Sequence, residues 1–553
     1  KGGLSIGTIL ILLACFLIYS LCGGEGLLSQ FSATSDTTQE GTSLTQAPLM
    51  AESPTEVAPL AAAGEEENTN LIRPTRTPRP LQPETADKGD KQTWTIMLYQ
   101  DADDSILEQD IYMDLNEAES VGSNKQVNIV AQIDRYKSAY QGDGNWTGTR
   151  RYYLTADNDL FHVHSKMVKD LGEVSMADPQ TLVDFANWAI KTYPADKYVL
   201  ILSDHGMGWP GGMTDPNPSA QRQVNIPFAH AMDSNMMFTD EIDQALGEIR
   251  RQNGIDRFEL VGMDACLMSH IELLSALEEH AHYVVTSQET EPSLGWAYAS
   301  FLQGLKNNPG MDGAQLGKLI VSSYINEDKR IVDDQARLDF LRQGSPLNSL
   351  FGTQDIDPAQ LSRQIDKSTT LTTADMDNMP ELIESINQLA YVLQSENPTV
   401  IARARTYAQS FTNIFGKDVS PSYIDLANFA QLLEKESSSS TVRSAAQDVI
   451  AQVKQTVIAE KHGSEKPGAS GISIYFPNAQ LYRNALAGAS SYTQAANRFA
   501  ADSLWDDFLA FYYTRASFQF ESGNAVAPGA NARSVLPGLG QIDVSDLQLS
   551  TTI

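Results

Sequence analysis

From Trp94 onward, five short apolar, β-rich runs, Trp94–Gln100, Val127–Ile133, Tyr198–Ser203, Phe258–Met263 and Tyr283–Ser287, are each closed by turn or charged residues. Between them, Ile106–Val121, Pro179–Thr192, Asp240–Asn253 and Leu267–His280 carry apolar residues at helical spacing. Strands with no polar side to show to water, separated by helices, are the pattern of a mostly parallel sheet covered on both faces. The fold class read from this is α/β. From about Leu316 to His462 the pattern is mostly helical, Gly471–Pro477 reads as one more strand and Trp505–Tyr513 as an apolar helix.

The flanks differ in kind. Residues 25–92 are rich in Ser, Thr, Pro, Ala and Glu with few aromatics, too little apolar area to offset ordering entropy, so they read as a tether. As a flexible coil it spans roughly 40–50 Å root-mean-square. Ahead of it, Leu4–Leu21 is nearly all apolar, close to the ~20 residues a membrane-crossing helix needs, with Lys1 before it and Glu25 after it. That segment, residues 4–21, reads as a signal anchor holding the bulk of the chain outside the cytoplasm; a cleaved signal peptide, giving a secreted protein, is the competing reading. Lipidation at Cys15 or Cys22 has weaker support. The tail after Ser522 is rich in Gly, Ala, Pro and Ser.

The 39 basic and 70 acidic side chains give a formal charge of −31 with no long Lys/Arg run, which excludes a nucleic acid partner bound through its phosphates. Three cysteines, Cys15, Cys22 and Cys266, supply neither a disulfide framework nor a CxxC metal site in the folded part. Cys266 follows the strand Phe258–Met263 and precedes a helical pattern; His205 follows the strand Tyr198–Ser203 and enters a Gly-rich turn. In sheets of this kind ligands meet the carboxyl ends of strands. A thiol there, at a helix amino terminus and beside an imidazole, has a stabilised thiolate, and the imidazole can protonate a leaving amine. The competing reading is a buried Cys packed as a small hydrophobe and a His satisfying a turn.

Asp204-His205-Gly206-x-Gly208-Trp209, then Asp264-Ala265-Cys266-Leu267-Met268, then Ser287-Gln288-Glu289-x-Glu291-Pro292-x-x-Gly295-Trp296, taken in order, resemble the clostripain family of cysteine peptidases, relatives of the caspases and gingipains. Trp94–Tyr99 with Asp101, Asp134-Arg135, Trp146, Thr149–Tyr152 and Gly471–Pro477 agree, and the resemblance runs from about Trp94 to Tyr513. It implies a caspase-like sandwich over 93–310 with a mostly helical part of the same peptidase unit over 311–520. It also implies a catalytic dyad of His205 and Cys266, and an oxyanion hole from the backbone N–H groups of Gly206 and Cys266. Cleavage after Arg or Lys is implied too, with Asp264 as the acid of the specificity pocket. Leu294 stands where relatives often carry Asp, so Glu289 or Glu291 is a candidate substitute, with Trp296 as a further substrate-binding residue.

Self-processing follows from the same likeness. Arg222 is the only Arg or Lys in Met213–Met232 and is the expected cut; Arg76-Thr77 in the tether is a second. Some relatives need calcium, and no EF-hand-like loop is visible, so calcium stays open. The Gly-rich turn lacks the Lys-Ser/Thr of a phosphate loop. His162-Val163-His164 lacks a third ligand at diagnostic spacing, and no metal site is expected there. A catalytically silent surface-binding protein on the same fold, or a peptide ligase using the same dyad, are the alternative functions; the oligomeric state is not legible.

Overall fold

The computed structural model describes residues 91–523 except 138–139, 216–223, 233–234, 335–361, 364 and 417–418. The expected anchor at 4–21, the tether, Arg222 and the tail therefore lie outside the described residues. Among those described, no helix is long and apolar enough to cross a membrane.

Five parallel strands form the middle of a nine-stranded sheet: β1 (Trp94–Ala102), β2 (Val127–Arg135), β5 (Lys197–Ser203), β8 (Phe258–Asp264) and β9 (Ala281–Thr286). They are the five apolar runs of the sequence, and all nine residues of β1 are buried. The sheet order places β9, β8, β5, β1 and β2 side by side. On one face Met97, Tyr99, Leu200, Leu202, Val261 and Met263 pack under α2 (Pro179–Thr192) and α3 (Thr239–Asn253). On the other, Ile96, Leu98, Val199, Ile201 and Leu260 pack under α1 (Glu108–Val121), α5 (Tyr298–Asn307) and α6 (Gly313–Ser323). Burying each such aliphatic side chain stabilises the fold by about 1.5–3 kcal/mol, so both faces hold the sheet. The helix starts are marked in the sequence: Asp178 accepts from the Gln180 N–H ahead of α2, with Pro179 as first helical residue.

The sheet extends further than the sequence pattern suggests. At one edge β3 (Gly148–Tyr153) and β4 (Lys166–Gly172) add antiparallel; β4 is exposed along nearly its whole length and carries Lys166, Lys169 and Asp170, charges that block edge pairing. At the other edge β10 (Thr370–Asp375) and β12 (Val457–His462) add antiparallel beyond β9. The region over 311–520 is mostly helical as expected, and it also lends these two strands to the sheet, which therefore runs across the 310/311 boundary. β12 follows the helix Ser440–Thr456 without a break, which merges the two in a periodicity reading. Gly471–Pro477 does contain a strand, β13 (Ser473–Tyr475), but it pairs with β11 (Tyr423–Asp425) in a separate two-stranded sheet.

Candidate active site

Ser203 pairs with Asp264 across the β5–β8 ladder, and the Asp204 N–H donates to the Asp264 carbonyl at 3.3 Å. His205 and Cys266 each follow this last pair by two residues. Both line one cleft, enclosing about 510 Å³ with its mouth included, together with Asp114, Asp264, Glu291 and Gly295. Gly206 allows this approach: a Cβ there would lie 2.1 Å from the Cys266 carbonyl oxygen. Gly206 bridges Gly212, and the ladder bonds run from Met207 N–H to Gly211 O (2.9 Å) and Met213 N–H to His205 O (3.0 Å), which leaves the Gly206 N–H out of the ladder. The turn is clamped from outside by the Tyr423 hydroxyl, which donates to Met207 O at 2.6 Å.

Cys266 does not begin a helix as expected. Residues 265–270 form an irregular turn with Leu267 at φ 64°, and α4 runs only over Ile271–Leu277. The cause is tertiary: Ser269 donates its N–H to Ser287 O (2.7 Å) and accepts from the Ser473 N–H (2.8 Å), so the backbone is tied to two other segments before the helix can start. The helix dipole is therefore not aimed at the thiol. Instead the Glu291 N–H donates to Cys266 Sγ at 3.3 Å, a contact of the kind that stabilises a thiolate.

Sequence reasoning missed Asp104. Its Oδ1 accepts from the N–H groups of Ile106 (2.7 Å) and Leu107 (2.9 Å), fixing it at the entrance to α1, while Oδ2 sits 3.6 Å from His205 Nε2 as an ion pair. Burial alone would lower the His205 pKa, but Asp104, Asp204 and the negative charge of Cys266 overcome it and push the ring up to about 9. Burial works to raise the Asp104 pKa, and is outweighed by His205 and the two N–H groups, which leave it below its ordinary value. The two shifts agree: an imidazolium paired with a carboxylate at neutral pH. The run Gln100-Asp101-Ala102-Asp103-Asp104 at the end of β1 was the available signal, without indicating which acid faces the histidine.

Two of the acids that line the cleft, Asp264 and Glu291, lie side by side. Burial pushes Asp264 up to about 6, opposed by the Tyr298 hydroxyl, which donates at 2.8 Å, and by Glu291. Burial, then the charges of Asp264 and Cys266, hold Glu291 well above the usual carboxylate range, and Trp296 Nε1 donates to its Oε2 at 3.0 Å. Two adjacent carboxyls of this kind share a proton, so the pair carries one negative charge over a broad range. Gly295, at φ 61°, lies against them: a Cβ there would sit 2.5 Å from Asp114 Oδ2 and 3.0 Å from Asp264 Oδ2. Asp114 is already matched by the buried Arg330 at 2.7 Å, which also bonds Asp328 and the Leu294 carbonyl.

Glu289 is not part of this cleft. It pairs with Lys466 and accepts from the N–H groups of Thr290 (2.8 Å) and Thr412 (3.2 Å), bracing the loop before Glu291. Trp296 is fully buried against Gly262 and reaches the pocket only through Glu291. The expected substrate contacts from these two are corrected to supporting positions, because their polar atoms are spent on protein partners. At the other edge of the sheet Asp159 supplies a partner that the sequence spacing hid, 2.9 Å from His162 Nδ1 and 3.1 Å from His164 Nε2.

A model of the clostripain family matches residues 98–512. Clostripain of Hathewaya histolytica is 24% identical over 425 residues, covering 71% of this chain and 76% of that protein. Among solved structures, an inactive zymogen C11 protease from Parabacteroides distasonis matches 78% of this chain and 99% of its own at 15% identity and a TM-score of 0.48. A secreted C11 cysteine protease from Bacteroides thetaiotaomicron in complex with an irreversible peptide inhibitor matches 73% and 99% at 17% identity and a TM-score of 0.46.

Proposed function

The chain belongs to the clostripain family of cysteine peptidases, and from that premise we propose that Cys266 and His205 hydrolyse peptide bonds after Arg or Lys through an acyl-thioester. The observation that carries the reading is that the two side chains, just past the ends of adjacent strands, line one cleft, with the histidine held charged by Asp104. The thiolate attacks the scissile carbonyl carbon. The resulting oxyanion is received by the N–H groups of Gly206 and Cys266, in a buried setting where such donors count for more than in water. The imidazolium gives its proton to the departing amine, leaving acyl-Cys266. The now neutral imidazole takes a proton from water as the water attacks the thioester; the acid leaves and the thiolate–imidazolium pair is restored.

The side chain on the amino side of the cut enters beside Asp264 and Glu291, whose single shared charge matches one guanidinium or ammonium. Leu294 withholds a carboxylate from the loop, and Glu291 supplies the second acidic group. The same specificity makes Arg222 the site of self-cutting, and Arg76-Thr77 the bond whose cleavage frees the catalytic unit from a membrane tether outside the cytoplasm. The test is turnover of fluorogenic Arg, Lys and Asp peptides by the full chain and by Cys266→Ala. Cleavage that survives the substitution overturns the nucleophile; preference for Asp overturns the pocket assignment alone.

A further inference from the structure

Between β3 and β4, at one edge of the sheet, stands a group of side chains that the peptidase chemistry does not use. Asp159 Oδ2 lies 2.9 Å from His162 Nδ1 and 3.1 Å from His164 Nε2. One donor atom from each of the three residues is within 4.8 Å of the other two. The two rings are 6.1 Å apart between centroids and tilted by 42°, so they converge on the oxygen rather than stack on each other.

The backbone holds this trio from behind. Val163, between the two histidines, packs against the core under α1, and its N–H donates to the hydroxyl of the buried Tyr112 at 3.2 Å. The Ser165 N–H donates to Glu119 Oε1 at 2.5 Å. With Val163 turned inward, its neighbours His162 and His164 face outward, and both side chains are more than half exposed. Asp159 is set locally: its Oδ1 accepts from the Phe161 N–H at 2.9 Å, and its own N–H donates to Asp157 Oδ1 at 2.8 Å. Oδ2 is thus left to face the two imidazoles. As ion pairs alone these contacts would add little, because exposed pairs are screened and cost side-chain entropy.

We propose that Asp159 Oδ2, His162 Nδ1 and His164 Nε2 bind a divalent transition metal of the zinc class, with water in the fourth position. Imidazole nitrogens suit zinc better than they suit the hard calcium and magnesium ions, and two of them with one carboxylate make a three-ligand set that zinc takes. Ligands about 2.1 Å from a tetrahedral zinc stand roughly 3.4 Å apart. The observed spacings need only a small opening to reach this, which exposed rings permit. The bond from Phe161 to the second oxygen of Asp159 orients the carboxylate, as outer partners of metal ligands do. Asp157 and Glu119 add negative charge close to His164, a field that favours a cation. The ion would tie the β3–β4 connection together and, through Tyr112 and Glu119, brace it on α1, the helix whose Asp114 lines the cleft.

The test uses the full chain carrying Cys266→Ala, which removes the thiol of the cleft as a competing zinc ligand and reads binding without activity, so its failure leaves the peptidase reading untouched. Titration calorimetry and thermal melts are run with zinc chloride, calcium chloride and a chelator, on protein freed of any histidine tag. Zinc at micromolar concentration is expected to bind and to raise the melting temperature. His162→Ala and His164→Ala alter exposed side chains, so both should melt as the parent does in chelator. Each should lose this zinc response, its affinity falling by at least the roughly ten- to hundredfold that loss of an outer partner costs. No heat and no shift with zinc overturns the site. A zinc response unchanged in both variants overturns its location, and calcium binding that disappears in the same variants overturns the zinc assignment.

Discussion

Replacing Asp264 by Asn should make the protein more stable and a poorer enzyme at once. The side chain is nearly inaccessible, and burial lifts its pKa from an ordinary 3.8 to about 6. A carboxyl that gains about two pH units on folding favours its neutral form by on the order of 3 kcal/mol. The folded value is the higher one, so this penalty is absent below about pH 4, grows as the pH rises and is complete above about pH 6. Asn keeps an oxygen for the Tyr298 hydroxyl and carries no charge. Part of the gain is lost because Glu291, relieved of a like charge, ionises more readily, which leaves a net stabilisation of about 1–3 kcal/mol at pH near 8. In the active enzyme the same substitution removes a charged partner from a buried guanidinium, a loss of about 3 kcal/mol, or roughly a hundredfold in kcat/KM for Arg substrates, with little change for a Gln analogue. Urea unfolding in the Cys266→Ala background at two pH values gives the first quantity and steady-state kinetics the second. A variant less stable than its parent near pH 8, or Arg turnover within twofold of wild type, would refute the account of this pocket.

Other outcomes follow from the same geometry. For the wild-type enzyme, kcat/KM on Arg substrates should fall as the pH drops through about 6, because Asp264 then takes a proton; a flat profile across that range rules out its ionised form as the pocket charge. Asp104→Asn should lower kcat by roughly ten- to a hundredfold with KM nearly unchanged, since it positions His205 without touching substrate; an effect confined to KM contradicts that role. Glu289→Gln should cost about 1–3 kcal/mol in a denaturant melt while leaving the Arg-over-Lys preference intact, because it breaks the Lys466 pair outside the cleft. Mass spectrometry of purified protein should show a cut between Arg222 and Gln223 in wild type and an intact bond in Cys266→Ala; two chains in the latter would exclude self-processing.

The five central strands were readable because each is buried on both faces and so carries an unbroken apolar run. β4 and β12 were not: they lie at the sheet edges, where exposed Lys and Asp side chains in β4 and half-buried Glu460 and Lys461 in β12 replace the apolar signal. The helix after Cys266 shows the reverse error. Its apolar residues continue to the cysteine, but Ser269 is drawn into bonds with Ser287 and Ser473, and those partners are distant in sequence. Asp264 and Glu291 stood out beside motif residues, whereas Asp104 was one acid among several, and Glu289 shared every sequence attribute of Glu291 while facing the other way.

By itself the amino-acid order determined the layered α/β class, the strand ends bearing His205 and Cys266, and the family, since these depend on local periodicity and on short motifs. Which carboxylate holds the imidazole, which acids share the pocket, and what stabilises the sulfur were decided only when loops from separate strands met. Those are questions of distance and desolvation, and both are properties of the packed molecule rather than of any one segment.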